Sequence, residues 1–92
     1  NVVIGNVGSK VTIAGTVGVN VNNPDPRVAL HVNGSIKFNN RLHLTDAEAP
    51  TTGTFNVGDI VWNSNPQPGR FVGWVCTREG TPGLWSGFGR LE

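Results

Sequence analysis

The sequence is poor in charge and in helix-forming residues. Charged residues make up 14% of the 92 positions, against roughly 25% in ordinary globular domains. The formal net charge is +1, whereas a nucleic-acid-binding surface usually shows a strong basic excess. Methionine is absent, and alanine, leucine, glutamate and lysine are scarce. These deficits argue against nucleic-acid binding and against a helical fold.

Cysteine and long apolar runs are also nearly missing. The single cysteine, Cys76, excludes an internal disulfide framework and a metal site built from cysteines. It lies in an apolar run, which predicts a buried free thiol rather than a reactive one. No apolar run approaches the roughly 18–20 residues of a membrane span, and no signal peptide or lipidation motif is found. The chain begins with Asn1 rather than Met, which we interpret as a piece of a longer protein or a processed product.

Glycine, proline and β-branched residues take the place of what is missing. The 13 glycines and 6 prolines separate short runs rich in valine, and β-branched residues favour strands. A chain of this length makes at most one small domain and buries only about 60–65% of its unfolded surface. We therefore predict an all-β protein with a thin stability margin.

The last third of the chain holds all three tryptophans and predicts a three-stranded antiparallel meander. Residues 59–63, 71–77 and 84–88 are apolar runs separated by turn sequences at 65–69 and 80–83. The middle run is apolar on both faces, whereas an antiparallel strand with one solvent-exposed face alternates apolar and polar residues. We expect this strand to be covered on both sides, by the rest of the chain or by another copy of it.

The first 22 residues contain three short β-branched runs, at 1–6, 10–15 and 16–22, each ended by Gly or Asn. This spacing suits a β-solenoid rung or an intertwined fibrous stalk, and equally two strands of an ordinary sandwich. Residues 45–53 are the least apolar stretch, and Pro50 ends any helix there after one turn. We therefore divide the chain into a β-stalk (1–44), a loop linker (45–53) and a small antiparallel domain (54–92).

Two Asn-containing pairs predict turns in the middle of the chain. Asn33-Gly34 lies between alternating runs at 28–32 and 36–38, the strongest short-range signal for a hairpin. A continuous strand bent at Gly34 is the alternative. Asn39-Asn40 predicts another turn, followed by a brief strand around His43.

Two stretches resemble segments of bacteriophage tail fibres and tailspikes. Residues 17–37 resemble the pattern V-G-I-G-x-x-x-P-x-x-x-L-x-V-x-G, with Asn20 in place of the usual second Gly. The positions that carry this match are Val17, Gly18, Val19, Pro24 or Pro26, Leu30, Val32 and Gly34. Residues 58–89 resemble the pattern G-D-x-x-x-N…G-W-x-C…G-x-P-G-x-W-x-x-F-G, which recurs near the C-terminus of many tailspikes and appendage proteins.

The resemblance implies a parallel, often intertwined homotrimer located in the phage tail and therefore extracellular. Such C-terminal modules help assembly and often lie near the host surface, where some bind surface glycans. Any polysaccharide-degrading machinery lies in an upstream domain, so we expect this chain not to be an enzyme and to need no cofactor. We expect no membrane insertion either. The expected fold is an intertwined or solenoid-like β-stalk followed by a small antiparallel meander or sandwich.

We expect the trimer core to consist of the apolar residues on one face of each stalk strand, packed about a threefold axis. Its members are Val11, Ile13, Val17, Val19, Val21, Leu30, Val32 and Ile36.

Catalytic and metal-binding patterns are weak. The six acidic residues lie in turns or at strand starts and form no recognisable pair. His31 and His43 alternate with apolar residues along their strands and so fall on the polar face, which favours solvated or hydrogen-bonded side chains. One histidine from each of three chains on a threefold axis is the metal-binding alternative, but we predict no metal.

The tryptophans are the strongest candidates for binding, because an exposed indole can stack on a sugar ring while polar neighbours bond its hydroxyls. We expect Trp62 and Trp74 to serve the core, whereas Trp85 suits either role. Asp59 also has a structural use, as an acceptor of turn amide hydrogens. The candidate glycan site comprises Trp85, Trp62, Trp74, Arg70, Arg78 and Asp59.

Two other functional classes stay open at this point. One is a monomeric carbohydrate-binding module of a secreted enzyme. The other is a lyase or hydrolase completed by residues outside this chain.

Overall fold

The computed structural model describes residues 4–92, and all of its regular elements are strands. No helix occurs in these residues, so none is long and apolar enough to cross a membrane. The all-β prediction is confirmed. In chain order the strands are β1 (Val17–Val19), β2 (Leu30–Val32), β3 (Ile36–Phe38), β4 (Arg41–Asp46), β5 (Ile60–Asn63), β6 (Phe71–Arg78) and β7 (Leu84–Arg90).

The chain divides into two compact units between residues 33 and 34. The first unit contains a two-stranded sheet of β1 and β2, and the second a five-stranded sheet in the order β3-β4-β5-β6-β7. This division differs from the predicted linker at 45–53. Because β4 pairs directly with β5, the loop between them joins neighbouring strands of one sheet rather than two domains.

In the first unit, β1 and β2 pair in parallel, so the ten residues 20–29 make one coil of chain between them. Val17 lies beside Leu30 and Val19 beside Val32 on one side of this pair. The other side is closed at Gly18, where a side-chain Cβ would come within 2.5 Å of the Pro24 ring. The expected strand at 10–15 is absent, and the first apolar run begins outside the described residues.

The hairpin predicted at Asn33-Gly34 is wrong. β2 pairs with β1 rather than with β3. The alternative of a continuous strand bent at Gly34 is not found either, because residues 33–35 belong to no strand. A type I′ turn needs positive φ at both central residues, and Asn33 is not among the residues with positive φ. The hairpin instead forms at Asn39 and Asn40, whose φ angles are 51° and 62°, and it joins β3 to β4.

The predicted meander is present: β5, β6 and β7 pair in antiparallel order. Its turns use glycine in the left-handed region, with φ of 84° at Gly69 and 82° at Gly83. The parallel contact in this sheet is between β4 and β5. Parallel neighbours cannot be joined by a tight turn, and residues 47–59 form the connection between them, called here the crossover.

The five-stranded sheet has two different faces, because residues paired across neighbouring strands share a face. We call one the aromatic face; its apolar and aromatic members include Ile36, Phe38, His43, Ile60, Trp62, Val75 and Phe88. The other is the covered face, whose members include Leu42, Leu44, Val61, Trp74, Cys76 and Trp85.

The crossover packs on the covered face. Phe55 forms a β-bridge with Gly80, and its ring meets that of Trp85 edge to face at 5.1 Å. Beneath it, Val61 is 0% and Cys76 1% exposed, and these are the only fully buried apolar side chains among residues 4–92. The core of one chain is therefore small.

A buried carboxylate joins the starts of β4 and β5 to the end of β6. Asp59 is 4% exposed, and its two oxygens accept the backbone N–H groups of Leu42 at 3.0 Å and Asn56 at 2.9 Å. Its own carbonyl accepts the N–H of Cys76 at 2.9 Å. The predicted structural use of Asp59 is confirmed, and it extends beyond the turn to β4 and β6.

Replacing Asp59 with alanine should lower the free energy of unfolding by roughly 2–4 kcal/mol, because two part-buried backbone amides lose their charged acceptor. Asp59→Asn keeps one acceptor oxygen and should have a smaller effect. Urea denaturation followed by tryptophan fluorescence measures both. The control is Glu48→Ala, which removes an exposed acid in the crossover. An equally large loss of stability in this variant would show that Asp59 has no special role.

Candidate functional site

A row of aromatic rings crosses the sheet on the aromatic face. The Phe38 and His43 rings are nearly parallel, 15° apart, with centroids 4.3 Å from each other. His43 and Trp62 follow at 6.5 Å and 24°. Trp62 then meets Phe88 nearly at right angles, at 5.7 Å and 80°. The row therefore joins side chains of four strands, β3, β4, β5 and β7.

Gly73 allows the last contact in this row, between the rings of Trp62 and Phe88. It lies in register between Trp62 and Phe88 on β6, and it has no side chain to separate them. A Cβ there would come within 2.5 Å of the Val61 carbonyl oxygen and 3.0 Å of the Phe88 ring. The close approach of β5, β6 and the Phe88 ring thus requires glycine.

The aromatic face is open to solvent within one chain. Phe38 is 55% and Trp62 42% exposed, and the crossover, which is the long connection of the second unit, lies on the opposite side. The core position expected for Trp62 is therefore not found within a single chain. The residues around the rings include no carboxylate and no lysine; Arg41 lies at the end of the row, with its guanidinium over Gly58.

The three tryptophans do not form one site. Trp62 lies on the aromatic face, whereas Trp74 and Trp85 lie on the covered face. Trp74 and Trp85 are half-buried, and the indole N–H of Trp85 donates to the Pro82 carbonyl at 2.8 Å. Trp85 therefore fixes the turn between β6 and β7 against the crossover.

The polar members of the predicted glycan site are also dispersed. Both carboxylate oxygens of Asp59 are occupied by backbone amides. Arg70 immediately precedes β6 and Arg78 is its last residue, so the two are roughly 25 Å apart at the usual rise of a strand. Arg70 donates to the Ala47 carbonyl at 3.4 Å. Asn63 is likewise structural, since it donates to the Phe71 carbonyl and accepts the N–H of Asn65.

The predicted trimer-core residues fall into both units. Val17, Val19, Leu30 and Val32 share one side of the β1–β2 pair. Val11 and Ile13 are exposed and lie outside any strand, and Val21 is half-buried. Ile36 belongs to the aromatic face of the second unit.

The remaining polar residues have local roles. His31 accepts the Asp25 N–H through Nδ1 at 3.0 Å, which agrees with a hydrogen-bonded histidine. Hydrogen bonds from the Arg27 side chain and backbone hold the pKa of the Asp25 carboxyl below its ordinary value. Within residues 4–92, no group of three or more His, Cys, Asp or Glu side chains is placed to hold a metal ion.

A cavity of about 360 Å³ opens between β4 and the crossover. Leu44, Pro50 and Phe55 line it together with Asp46 and Glu48. One Asp46 oxygen already accepts the N–H of Ala47 at 2.6 Å. No histidine, cysteine or tryptophan contributes to the lining, so it supports no specific reaction class.

Comparison with protein-family models, curated proteins and solved structures finds no match to this chain. The resemblance to phage tail proteins therefore rests on the two sequence patterns alone.

The sequence by itself does not place Phe38, His43 and Phe88 on a common surface. Their positions follow from strand register, which the sequence leaves open. The available signal is the glycine at position 73, since a glycine inside a strand often marks a close approach.

The thiol of Cys76 should be unreactive in the folded protein. It is 1% exposed and its Sγ contacts the Arg78 carbonyl at 3.3 Å, so a thiol reagent such as DTNB should label it only when the sheet opens. The measurement is the labelling rate across a urea titration. Thr52→Cys, at an exposed crossover position, is the positive control. Rapid labelling of the wild-type chain without urea would contradict the buried position.

Proposed function

We propose that this chain is a non-catalytic, homotrimeric assembly module from the host-facing end of a phage tailspike or tail fibre. Its work would be to hold three parallel chains together, with the first unit forming the stalk part and the second unit a small β-domain. The phage setting is supported by the two sequence patterns described above. The assembly role is supported by the structure of the first unit.

The observation that carries the proposal is that none of residues 4–33 is buried. Yet this unit places Val17, Val19, Leu30 and Val32 on one side of a defined pair of strands. Ordering the backbone costs about 1–2 kcal/mol per residue, and a segment with half-buried but no fully buried residues has little burial to offset this cost. The missing burial is best supplied by the same surface of neighbouring chains.

Binding of a cell-surface polysaccharide stays a prediction. Its six candidate residues lie on different faces of the sheet, and Asp59 and Trp85 have their polar groups engaged within the chain. Assembly is therefore the function for which the described residues give the most support.

The first test is the solution mass by light scattering after size exclusion, at micromolar and at diluted concentrations. We expect three times the 9.8 kDa of one chain, unchanged on dilution. A folded monomer at every concentration would refute the assembly role and leave the monomeric carbohydrate-binding module as the better interpretation.

The second test addresses the apolar side of the first unit. Val19→Thr and Leu30→Asn place polar groups where burial is proposed, and each should weaken assembly roughly tenfold or more, because about 1.5–3 kcal/mol comes from burying one such side chain. The measurement is the concentration at which the trimer dissociates. Val57→Thr, at an exposed apolar position in the crossover, should leave the mass unchanged; trimers of undiminished stability in both stalk variants would exclude this surface.

A further inference from the structure

The Asn33-Gly34 pair forms no hairpin, but it has a chemical property of its own. The backbone nitrogen that follows an asparagine can attack the amide carbon Cγ of the asparagine side chain, and the product is a five-membered succinimide ring. A side chain on the following residue hinders this approach. Asn33 is the only asparagine of the chain that is followed by glycine, which has no Cβ and adopts many backbone conformations.

The structure leaves both reacting groups free. Residues 33–35 belong to no strand, and Asn33 is exposed. Asn33 donates its own N–H to the Val19 carbonyl at 3.0 Å, but among residues 4–92 neither its side-chain amide nor the N–H of Gly34 takes part in a hydrogen bond. Apart from its chain neighbours, a Cβ at Gly34 would meet no atom within 4 Å. The Asn33 side chain can therefore turn toward the Gly34 nitrogen without breaking a hydrogen bond.

The other asparagines are followed by residues that hinder or prevent the attack. These residues are valine, proline, asparagine, arginine and serine. Valine is branched at Cβ, and proline has no backbone N–H to react. Every one of them carries a Cβ, so glycine offers the least hindered nitrogen of the chain.

Asn63 is the most informative comparison, because the residue after it is the small Ser64. Asn63 is 7% exposed. Its side-chain amide donates to one backbone carbonyl at 2.8 Å and accepts one backbone N–H at 2.9 Å. The N–H of Ser64 donates to the Asp46 carbonyl at 2.9 Å. The two groups that must react are therefore held apart by the fold at Asn63, whereas they are free at Asn33.

We propose that Asn33 is a site of spontaneous deamidation and isomerisation in the native protein. The Gly34 nitrogen forms a bond to Cγ of Asn33 and the bond from Cγ to Nδ2 breaks, so the side-chain nitrogen leaves as ammonia with the Gly34 amide proton. One water molecule from the solvent then opens the succinimide ring. Opening at Cγ gives aspartate, and opening at the main-chain carbonyl carbon gives isoaspartate.

The products change the chain in two ways. Both replace a neutral amide with a carboxylate, so the formal net charge falls by one unit, from +1 to zero. Isoaspartate also directs the main chain through the former side chain, which lengthens it by one carbon atom. This carbon follows directly after the hydrogen bond from Asn33 to Val19 at the end of the β1–β2 pair. The reaction involves a single chain, so the inference does not depend on the proposed assembly.

Peptide mapping of the aged protein tests the site. The native protein is kept in warm, mildly alkaline buffer, digested with trypsin, and analysed by liquid chromatography with mass detection. Cleavage after Arg27 and Lys37 gives a peptide of residues 28–37 in which Asn33 is the only asparagine. We expect this peptide to be converted into two products of equal mass, aspartyl and isoaspartyl, roughly tenfold or more faster than any other asparagine reacts.

Two comparisons make the result specific. Asn33→Gln keeps a side-chain amide but would need a six-membered ring, so its peptide should stay unchanged over the same period. In chains unfolded by guanidinium chloride, Asn33 should react within about fivefold of its native rate, because a segment that opens at almost no free-energy cost reacts as if it were unfolded. Asn63 should react faster in the unfolded chain than in the native one.

The outcomes separate this inference from the proposed function. A native rate at Asn33 more than about fivefold below the unfolded rate, earlier reaction at Asn63, or an aspartyl product alone would overturn the inference. If Asn33 is protected in a stable trimer, the assembly role stands and this inference fails. Formation of both products in a chain that is monomeric at every concentration supports the inference and refutes the assembly role.

Discussion

The buried carboxylate of Asp59 is the constraint on which the second unit depends. Each oxygen accepts one backbone N–H, from Leu42 at the start of β4 and from Asn56 in the turn before β5, and its carbonyl accepts the N–H of Cys76 on β6. β4 and β5 run parallel, so no tight turn can align them. Asp59 supplies that alignment from within the crossover, and Val61 is buried two residues later.

The parallel pair has a consequence for the two faces of the sheet. A crossover must pass over one face to return the chain to the same end of the sheet, and residues 47–59 therefore cover the side that contains Val61 and Cys76. With only one crossover in the second unit, nothing of similar length is left there for the other side. The open aromatic face follows from the topology rather than from an unusual composition of its strands.

The sequence predicted the elements that depend on local chemistry and missed those that depend on pairing. The meander of β5, β6 and β7 was predictable because turn sequences bound each apolar run. The hairpin prediction at Asn33-Gly34 failed because β2 pairs with β1 rather than with β3. The left-handed backbone angles occur at Asn39 and Asn40 instead. The aromatic row was equally hidden, since Trp62 and Phe88 meet only through the register that places Gly73 between them.

The distribution of charge indicates which contacts between sheets are disfavoured. Natural sheets prevent edge-to-edge pairing with short edge strands and with lysine. The edge strand β3 has three residues and carries Lys37, and the opposite edge strand β7 ends in Arg90. The four valine and leucine positions on the apolar side of β1 and β2, and the residues between the rings of the aromatic face, include no lysine and no carboxylate. Charged residues are only 14% of the chain, and those on the open face of the sheet are arginines, Arg41 beside Phe38 and Arg90 beside Phe71. Charge on both edge strands discourages open-ended pairing of sheets edge to edge, which the proposed closed assembly of a few copies also requires.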